Sequence, residues 1–114
     1  MKKDATIFLK HILESIDRVQ EYSKDLSKSE FRKDVKGQDA VFRRLEIMGE
    51  AVKNIPPEFT KKYPQIPWTE IARTRDKLIH HYFGVDLDLT YDIIRKELPK
   101  LRKELVKILQ GEGG

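Results

Sequence analysis

Apolar residues recur along most of this chain at steps of three and four, the spacing that lines one face of an α-helix. Between Asp4 and about Lys24, Phe8, Ile12, Ile16 and Val19 keep that step, and Leu9, Leu13 and Tyr22 widen the stripe, which predicts a long first helix. Ser27 stands three residues before Glu30, the spacing of a capping box, so a short helix or turn is expected over Ser27 to Asp34, with Gly37 read as a break. A further helix is predicted from Val35 or Gln38 to Asn54, carried by Val41, Leu45, Met48, Val52 and Ile55. Gly49 and Ala51 lie near that stripe and are small enough to let another helix approach. Pro56 and Pro57 end it, because the residue before a proline is pushed out of the helical region.

The stretch from Pro57 to Pro67 reads as a structured connector with one helical turn at Glu58 to Lys62. Pro67 suits the first turn of the next helix, where a missing N–H costs nothing, and Glu70 falls near the positive end of its dipole. That helix is predicted to run from Trp68 to Phe83 and to close at Gly84. A last helical region starts near Asp86 or Asp88 and continues to about Gln110, with Leu89, Ile93, Leu98, Leu101, Leu105 and Ile108 inward and a kink near Glu97 imposed by Pro99. No strand-like alternation of useful length and no internal repeat occurs. The expected fold is all-α: an antiparallel bundle of four main helices plus short helical turns, one domain over residues 1–110 followed by a flexible tail, 111–114.

Composition narrows the classes of function. A chain of 114 residues suits one core, and 39% hydrophobic with 37% charged residues fits amphipathic helices better than a disordered segment. The absence of cysteine excludes a disulfide framework and a thiolate zinc site. No run approaches the roughly 18 apolar residues of a membrane span, and Met1-Lys2-Lys3-Asp4 leads into a polar-punctuated helix rather than a signal sequence, so a cytoplasmic protein without membrane contact is expected. A formal charge of +4 is modest but permits a phosphate-bearing partner.

The candidate chemistry lies in Trp68 to Phe83. On a helical wheel Trp68, Ile71, Ala72, Leu78, Ile79 and Tyr82 gather into one apolar stripe, and Arg75 falls in its middle. A guanidinium there needs a carboxylate, carbonyls or an anionic ligand. The structural reading is a core ion pair of Arg75 with Glu46 or Glu50. Asp76 stands four residues before His80 and can hold its imidazole in the charged form. An ideal helix separates Arg75 and His80 by about 140°, so a joint site requires helix distortion, side-chain reach or a second protomer. His80 and His81 diverge by about 100° on a helix and His11 is the only other imidazole, a poor zinc set; no metal is expected. Without a metal, histidine can move protons to and from the ribose 2′-hydroxyl and the leaving 5′-oxygen, while arginine clamps the phosphorane oxygens. That chemistry favours RNA over DNA, which lacks the internal nucleophile.

Arg75-Asp76-Lys77-Leu78-Ile79-His80-His81-Tyr82 resembles the R-x4-H-x-Y motif of HepT-like toxins of the HEPN superfamily, including a polar residue directly after the arginine. The stretches Phe42 to Asn54, Ile66 to Ile71 and His81 to Asp86 are similar to the family's preceding helix, lead-in and exit, so the likeness covers most of the chain and is strongest from about Gln38 to Leu98. The resemblance implies an all-α HEPN domain that homodimerises, with motif helices of both protomers lining one cleft. It also implies metal-independent, cofactor-free RNA cleavage leaving a 2′,3′-cyclic phosphate, within a type VII-like toxin–antitoxin system. By residue, Arg75 would clamp the phosphate, His80 would act as general acid or base, and Tyr82 would accept AMP from an MNT-type nucleotidyltransferase antitoxin. Asp76 is inferred to orient His80. Arg73, Lys77 and His81 are candidate RNA contacts, with solvation of the helix surface as the simpler role. The alternative is a noncatalytic module of the same fold that binds nucleotide or RNA, or scaffolds a nucleotidyltransferase. A purely structural helical dimer is the third reading.

Overall fold

The structure, a computed structural model, describes residues 5–79 and 86–112, and the side chains of residues 75–79 fall outside what it describes. The described residues form α1 (Ala5–Ser23), α2 (Lys28–Lys33), α3 (Val35–Lys53), α4 (Pro57–Thr60), α5 (Trp68–Ile79), α6 (Leu87–Asp92) and α7 (Leu98–Gly111), with a π-helical turn, Ile93–Glu97, joining the last two. No strand occurs among them, so the all-α expectation holds. No helix among them is long and apolar enough to cross a membrane.

The predicted stripes become one core, with local shifts in phase. In α1, Leu9, Ile12, Ile16 and Val19 are fully buried, whereas Phe8 and Leu13 flank the cluster and Tyr22 is exposed. The stripe is therefore centred on Leu9, one residue on from Phe8. In α3, Val41, Leu45, Met48 and Val52 are all buried, as is Ile55 just beyond it. Gly37 does not break the chain: it lies in the first turn of α3, where its N–H donates to the Asp34 carboxylate at 2.9 Å. The side chain of Asp34 is thus the N-cap, which lets α3 begin only one residue after α2 ends. Ser27 and Glu30 form the expected reciprocal capping box at the start of α2.

Cross-helix contacts fix the directions. Arg44 approaches Glu14 while Phe8 and His11 share a depression with Ala51 and Asn54, so α1 and α3 are antiparallel. Asp17 accepts from Arg102 at 2.7 Å and the end of α1 meets Arg95, so α7 is antiparallel to α1. Helix α5 packs on α3, again antiparallel, with Trp68 level with Val52 and Ile71 level with Met48.

Pro99 has the predicted effect, by a specific device. A proline cannot donate to the carbonyl four residues back and its ring crowds that carbonyl. The chain widens to a π turn just upstream, in which the Leu98 N–H donates to the Ile93 carbonyl. The added residue advances the phase, burying Ile94 and leaving Ile93, expected to point inward, only half-buried. It also aims Arg95 at the end of α1, where its guanidinium donates to the carbonyls of Ser23, Lys24 and Leu26 at 2.5, 3.3 and 2.6 Å and to the Tyr91 hydroxyl at 3.0 Å. The Ser23 carbonyl, at the end of α1, also accepts the Leu26 N–H, and the Leu26 carbonyl also accepts the Tyr91 hydroxyl, so Arg95 joins a shared network at this helix end.

The connector is pinned at the far end of the molecule. The Trp68 indole N–H donates to the Tyr63 carbonyl at 3.0 Å, and Tyr63 donates its hydroxyl to Glu112, which also pairs with Lys62 at 3.0 Å. Helix α7 thus continues through Gly111, one residue past the predicted end, and its C-cap Glu112 is tied to the connector.

Candidate active site

Helix α5 carries the front half of the motif. Its backbone is regular through Ile79, so Arg73, Arg75, Asp76 and Lys77 occupy consecutive turns of one helix. His80, His81 and Tyr82 lie outside the described residues, as do the side chains of Arg75, Asp76 and Lys77. Of the predicted site residues, Arg73 is the one whose side chain is described, and it is exposed. Glu46 pairs with Arg43 at 3.0 Å and Glu50 with Lys53 at 3.5 Å.

Three features position α5. Pro67 precedes it, and the Pro67 carbonyl accepts the Ile71 N–H at 3.0 Å to start the helix. Trp68, Ile71 and Ala72 turn toward the core, realising the first half of the predicted stripe. Gly49 of α3 sets the separation: a Cβ built there would stand 3.2 Å from the Ala72 carbonyl oxygen and 3.4 Å from that of Ile71. Backbone meets backbone at this point, and any side chain on α3 would hold α5 further out.

Beyond the motif, the described chain resumes at Asp86. Asp86 caps α6, its carboxylate accepting the Leu89 N–H at 2.9 Å. Two residues on, Asp88 receives both Nε and a terminal nitrogen of Arg32 at 2.7 and 2.8 Å. These bonds hold the Asp88 carboxyl below its ordinary range and raise the Arg32 guanidinium above its own.

Between α5 and the α6–α7 arm runs an open groove of about 1050 Å³. Leu45, Met48, Ile71, Leu98 and Leu101 give it an apolar floor, and Arg73 and Glu70 face Lys96, Lys100, Glu97 and Glu104 across its rim. Arg73 also borders a smaller depression with Trp68 and Lys53, so it stands on the ridge between two concavities. Sequence reasoning missed Lys96 and Lys100. Their i, i+4 spacing on one helical face was visible, but only the packing shows that this face borders α5. Among the described residues no three His, Cys, Asp or Glu side chains group as a metal site.

Comparison with known proteins gives a consistent result. A profile of the family described as "Ribonuclease HepT-like" matches residues 12–108. The chain is 53% identical over 110 residues to a Methanocaldococcus jannaschii protein named "Gamma-glutamylcyclotransferase and putative RNase", covering 96% of this chain and 50% of that one. It thus spans half the length of this relative. A second M. jannaschii protein, named "Putative RNase", is 47% identical over 114 residues, with 97% of this chain and 94% of the relative covered. A Thermococcus cleftensis protein named "Probable ribonuclease HepT" is 43% identical over 108 residues, covering 95% and 98%. No solved structure matches the chain significantly.

Proposed function

This chain belongs to the HepT-like ribonuclease family, and from that premise we propose that it is a metal-independent endoribonuclease, the toxin of a type VII-like toxin–antitoxin pair. The observation that carries the reading is the intact motif from Arg75 to Tyr82, set in a chain that the family profile matches from residue 12 to 108. Arg75 neutralises the nonbridging phosphate oxygens as charge builds on the phosphorane. His80 takes the proton of the ribose 2′-hydroxyl or delivers one to the leaving 5′-oxygen, and a 2′,3′-cyclic phosphate remains. Asp76 orients His80 from one turn away, and Arg73, Lys77 and His81 contact the RNA backbone. Tyr82 stands seven residues from Arg75 in the motif, a spacing that an uninterrupted helix would put on nearly one face, so AMP attached to its hydroxyl by an MNT-type nucleotidyltransferase would add negative charge and bulk beside the cleft and repel substrate.

The active unit is a homodimer of a single domain spanning residues 1–110. The groove beside α5 supports this reading. Its apolar lining is shared by α3, α5 and the α6–α7 arm, and among the described residues its charged lining mixes Arg73, Lys96 and Lys100 with Glu70, Asp92, Glu97 and Glu104, a pattern that a two-fold copy of itself can complement. The mixed rim is less suited to RNA, which calls for an excess of positive charge.

The test is cleavage of RNA in excess chelator by wild type, Arg75→Ala, His80→Ala and Tyr82→Phe, with product ends identified. Wild type and Tyr82→Phe should cut and leave cyclic phosphate, and the other two should lose at least about a hundredfold with their helical content unchanged. RNA binding without product would establish the noncatalytic alternative. Intact-mass analysis after co-expression with the nucleotidyltransferase should show AMP increments on wild type and none on Tyr82→Phe.

A further inference from the structure

We propose that the depression between the end of α3, the connector and the start of α5 is a subsite for one nucleotide of single-stranded RNA, with Lys53 and Arg73 on its phosphates and Trp68 beside its base. The inference deepens the ribonuclease reading above and rests on it for the link to cleavage, while binding is tested separately.

The depression holds about 400 Å³, at the small end of ligand-sized clefts, so it takes a nucleotide rather than a folded partner. Val52 and Ile55 are buried beneath it, and Trp68 and Ala72 line its α5 side. Its walls are fixed. Gly49, one turn before Lys53, admits the backbone of Ile71 and Ala72, which brings the last turn of α3 against the first turns of α5. The Trp68 indole is held by its N–H on the Tyr63 carbonyl at 3.0 Å, and the Thr60 hydroxyl closes α4 on the Pro57 carbonyl at 3.0 Å.

Charge decides the occupant. Among the described residues the charged side chains of this lining are Lys53 and Arg73, one from each helix. The large groove on the other side of Arg73 carries Glu70, Asp92, Glu97 and Glu104, so the two concavities differ in the partner they favour. Lys53 pairs with Glu50 at 3.5 Å, but both side chains are more than half exposed, and such a pair is weak enough for a phosphate to displace. Cations beside aromatic and aliphatic surface are what single-stranded nucleic acid needs: the cations follow the backbone and a base lies on the aromatic ring whatever its identity. The Arg75 backbone is three residues beyond Ala72, about 4.5 Å along the axis of α5, so a nucleotide held here adjoins the phosphate that Arg75 would clamp.

The experiment binds a fluorescein-labelled 2′-O-methyl tetra-adenylate, which has no free 2′-hydroxyl and cannot be cleaved, to the full-length wild type, Lys53→Gln, Arg73→Gln and the control Lys24→Gln. Lys24 sits in the same kind of exposed pair, with Glu21 at 3.5 Å, at the end of α1 that meets Arg95, away from Lys53. Anisotropy over a series of salt concentrations reads affinity, and quenching of Trp68, the chain's single tryptophan, reads occupancy of the depression. Wild type should bind with saturable quenching. Lys53→Gln and Arg73→Gln should each bind about three- to tenfold more weakly and lower the slope of log K against log salt by about 0.7, and Lys24→Gln should change neither. Binding without quenching, unchanged affinity in both variants, or no binding by wild type would overturn the inference. An equal loss in Lys24→Gln would overturn it too, as diffuse attraction to a basic surface. A changed oligomeric state in either variant with RNA binding intact would give the depression to a second copy of the chain and also overturn it. If wild type binds with quenching but cleaves no RNA in chelator, the ribonuclease reading fails alone and the subsite stands.

Discussion

Replacing Gly49 tests the contact that places the motif helix. A β-carbon at this position would sit 3.2 Å from the Ala72 carbonyl oxygen, 3.4 Å from that of Ile71 and 3.7 Å from the Ala72 carbonyl carbon. All three neighbours are backbone, so none can rotate aside, and relief has to come from a shift of α5 as a body. For Gly49→Ala that shift is a few tenths of an ångström. Its cost, about 1 kcal/mol, is offset by the roughly 0.8–1 kcal/mol by which alanine favours a helix interior over glycine. The alanine variant should therefore melt within about 5 °C of wild type. Gly49→Val adds methyl groups about 1.5 Å beyond the β-carbon with a stiff χ1, and helical valine recovers less of the propensity gain. Helix α5 must then retreat or unpack Trp68 and Ile71, at about 3 kcal/mol, which lowers the melting temperature by roughly 10–20 °C. Thermal unfolding followed by far-ultraviolet circular dichroism measures both. A valine variant as stable as wild type would refute the close approach of α3 and α5 and the position of the motif helix built on it.

Two further outcomes follow from particular groups. Among the described residues, the Ser15 hydroxyl is a buried polar group without a hydrogen-bond partner, so Ser15→Ala should stabilise the fold by about 1 kcal/mol in urea titration; a loss of stability would show that the hydroxyl is bonded. At the connector, the hydrogen bond from Tyr63, then that from Lys62, holds the Glu112 carboxyl below its reference value of 4.5, while the same bond and then burial hold the Tyr63 phenol above 10.0. The depressed carboxyl contributes stability above pH 4.5 that disappears as pH falls through its folded value, and the raised phenol contributes below pH 10.0 and loses its share as pH rises through its own. The stability difference between wild type and Glu112→Ala should be level from about pH 5 to 9 and shrink on both sides, with Trp68 emission as the probe. A difference that persists undiminished to pH 2 would contradict this assignment.

Periodicity, capping chemistry and prolines were enough to locate α1, α3, α5 and the α6–α7 arm, because a helix face is specified by residues three or four apart and its ends by one or two side chains. The candidate site was read in the same local way: Arg75, Asp76, His80 and Tyr82 stand in one contiguous motif, and its likeness to a family suggests the chemistry proposed for them. The wheel also exposed the angular gap between Arg75 and His80, which no reading of one isolated helix closes.

Other features depended on residues far apart in sequence. Gly49 could be read as small, but only packing shows that Ala72 and Ile71 stand against it. Pro99 announced a kink, but the π turn that relieves it, burying Ile94 in place of Ile93 and sending Arg95 to the carbonyls of α1, depended on what the neighbouring helices offered. Nothing local in the sequence marks Arg32, whose bidentate partner Asp88 lies 56 residues away. The open groove between α5 and the α6–α7 arm belongs to no single helix. The sequence by itself determined the helices and the motif, since both are encoded within a few turns of chain. Tertiary structure alone decided how close α5 lies to α3, how α6 is held against α2 and which residues face one another across the groove, because these depend on volumes and partners that meet only when distant turns are brought together.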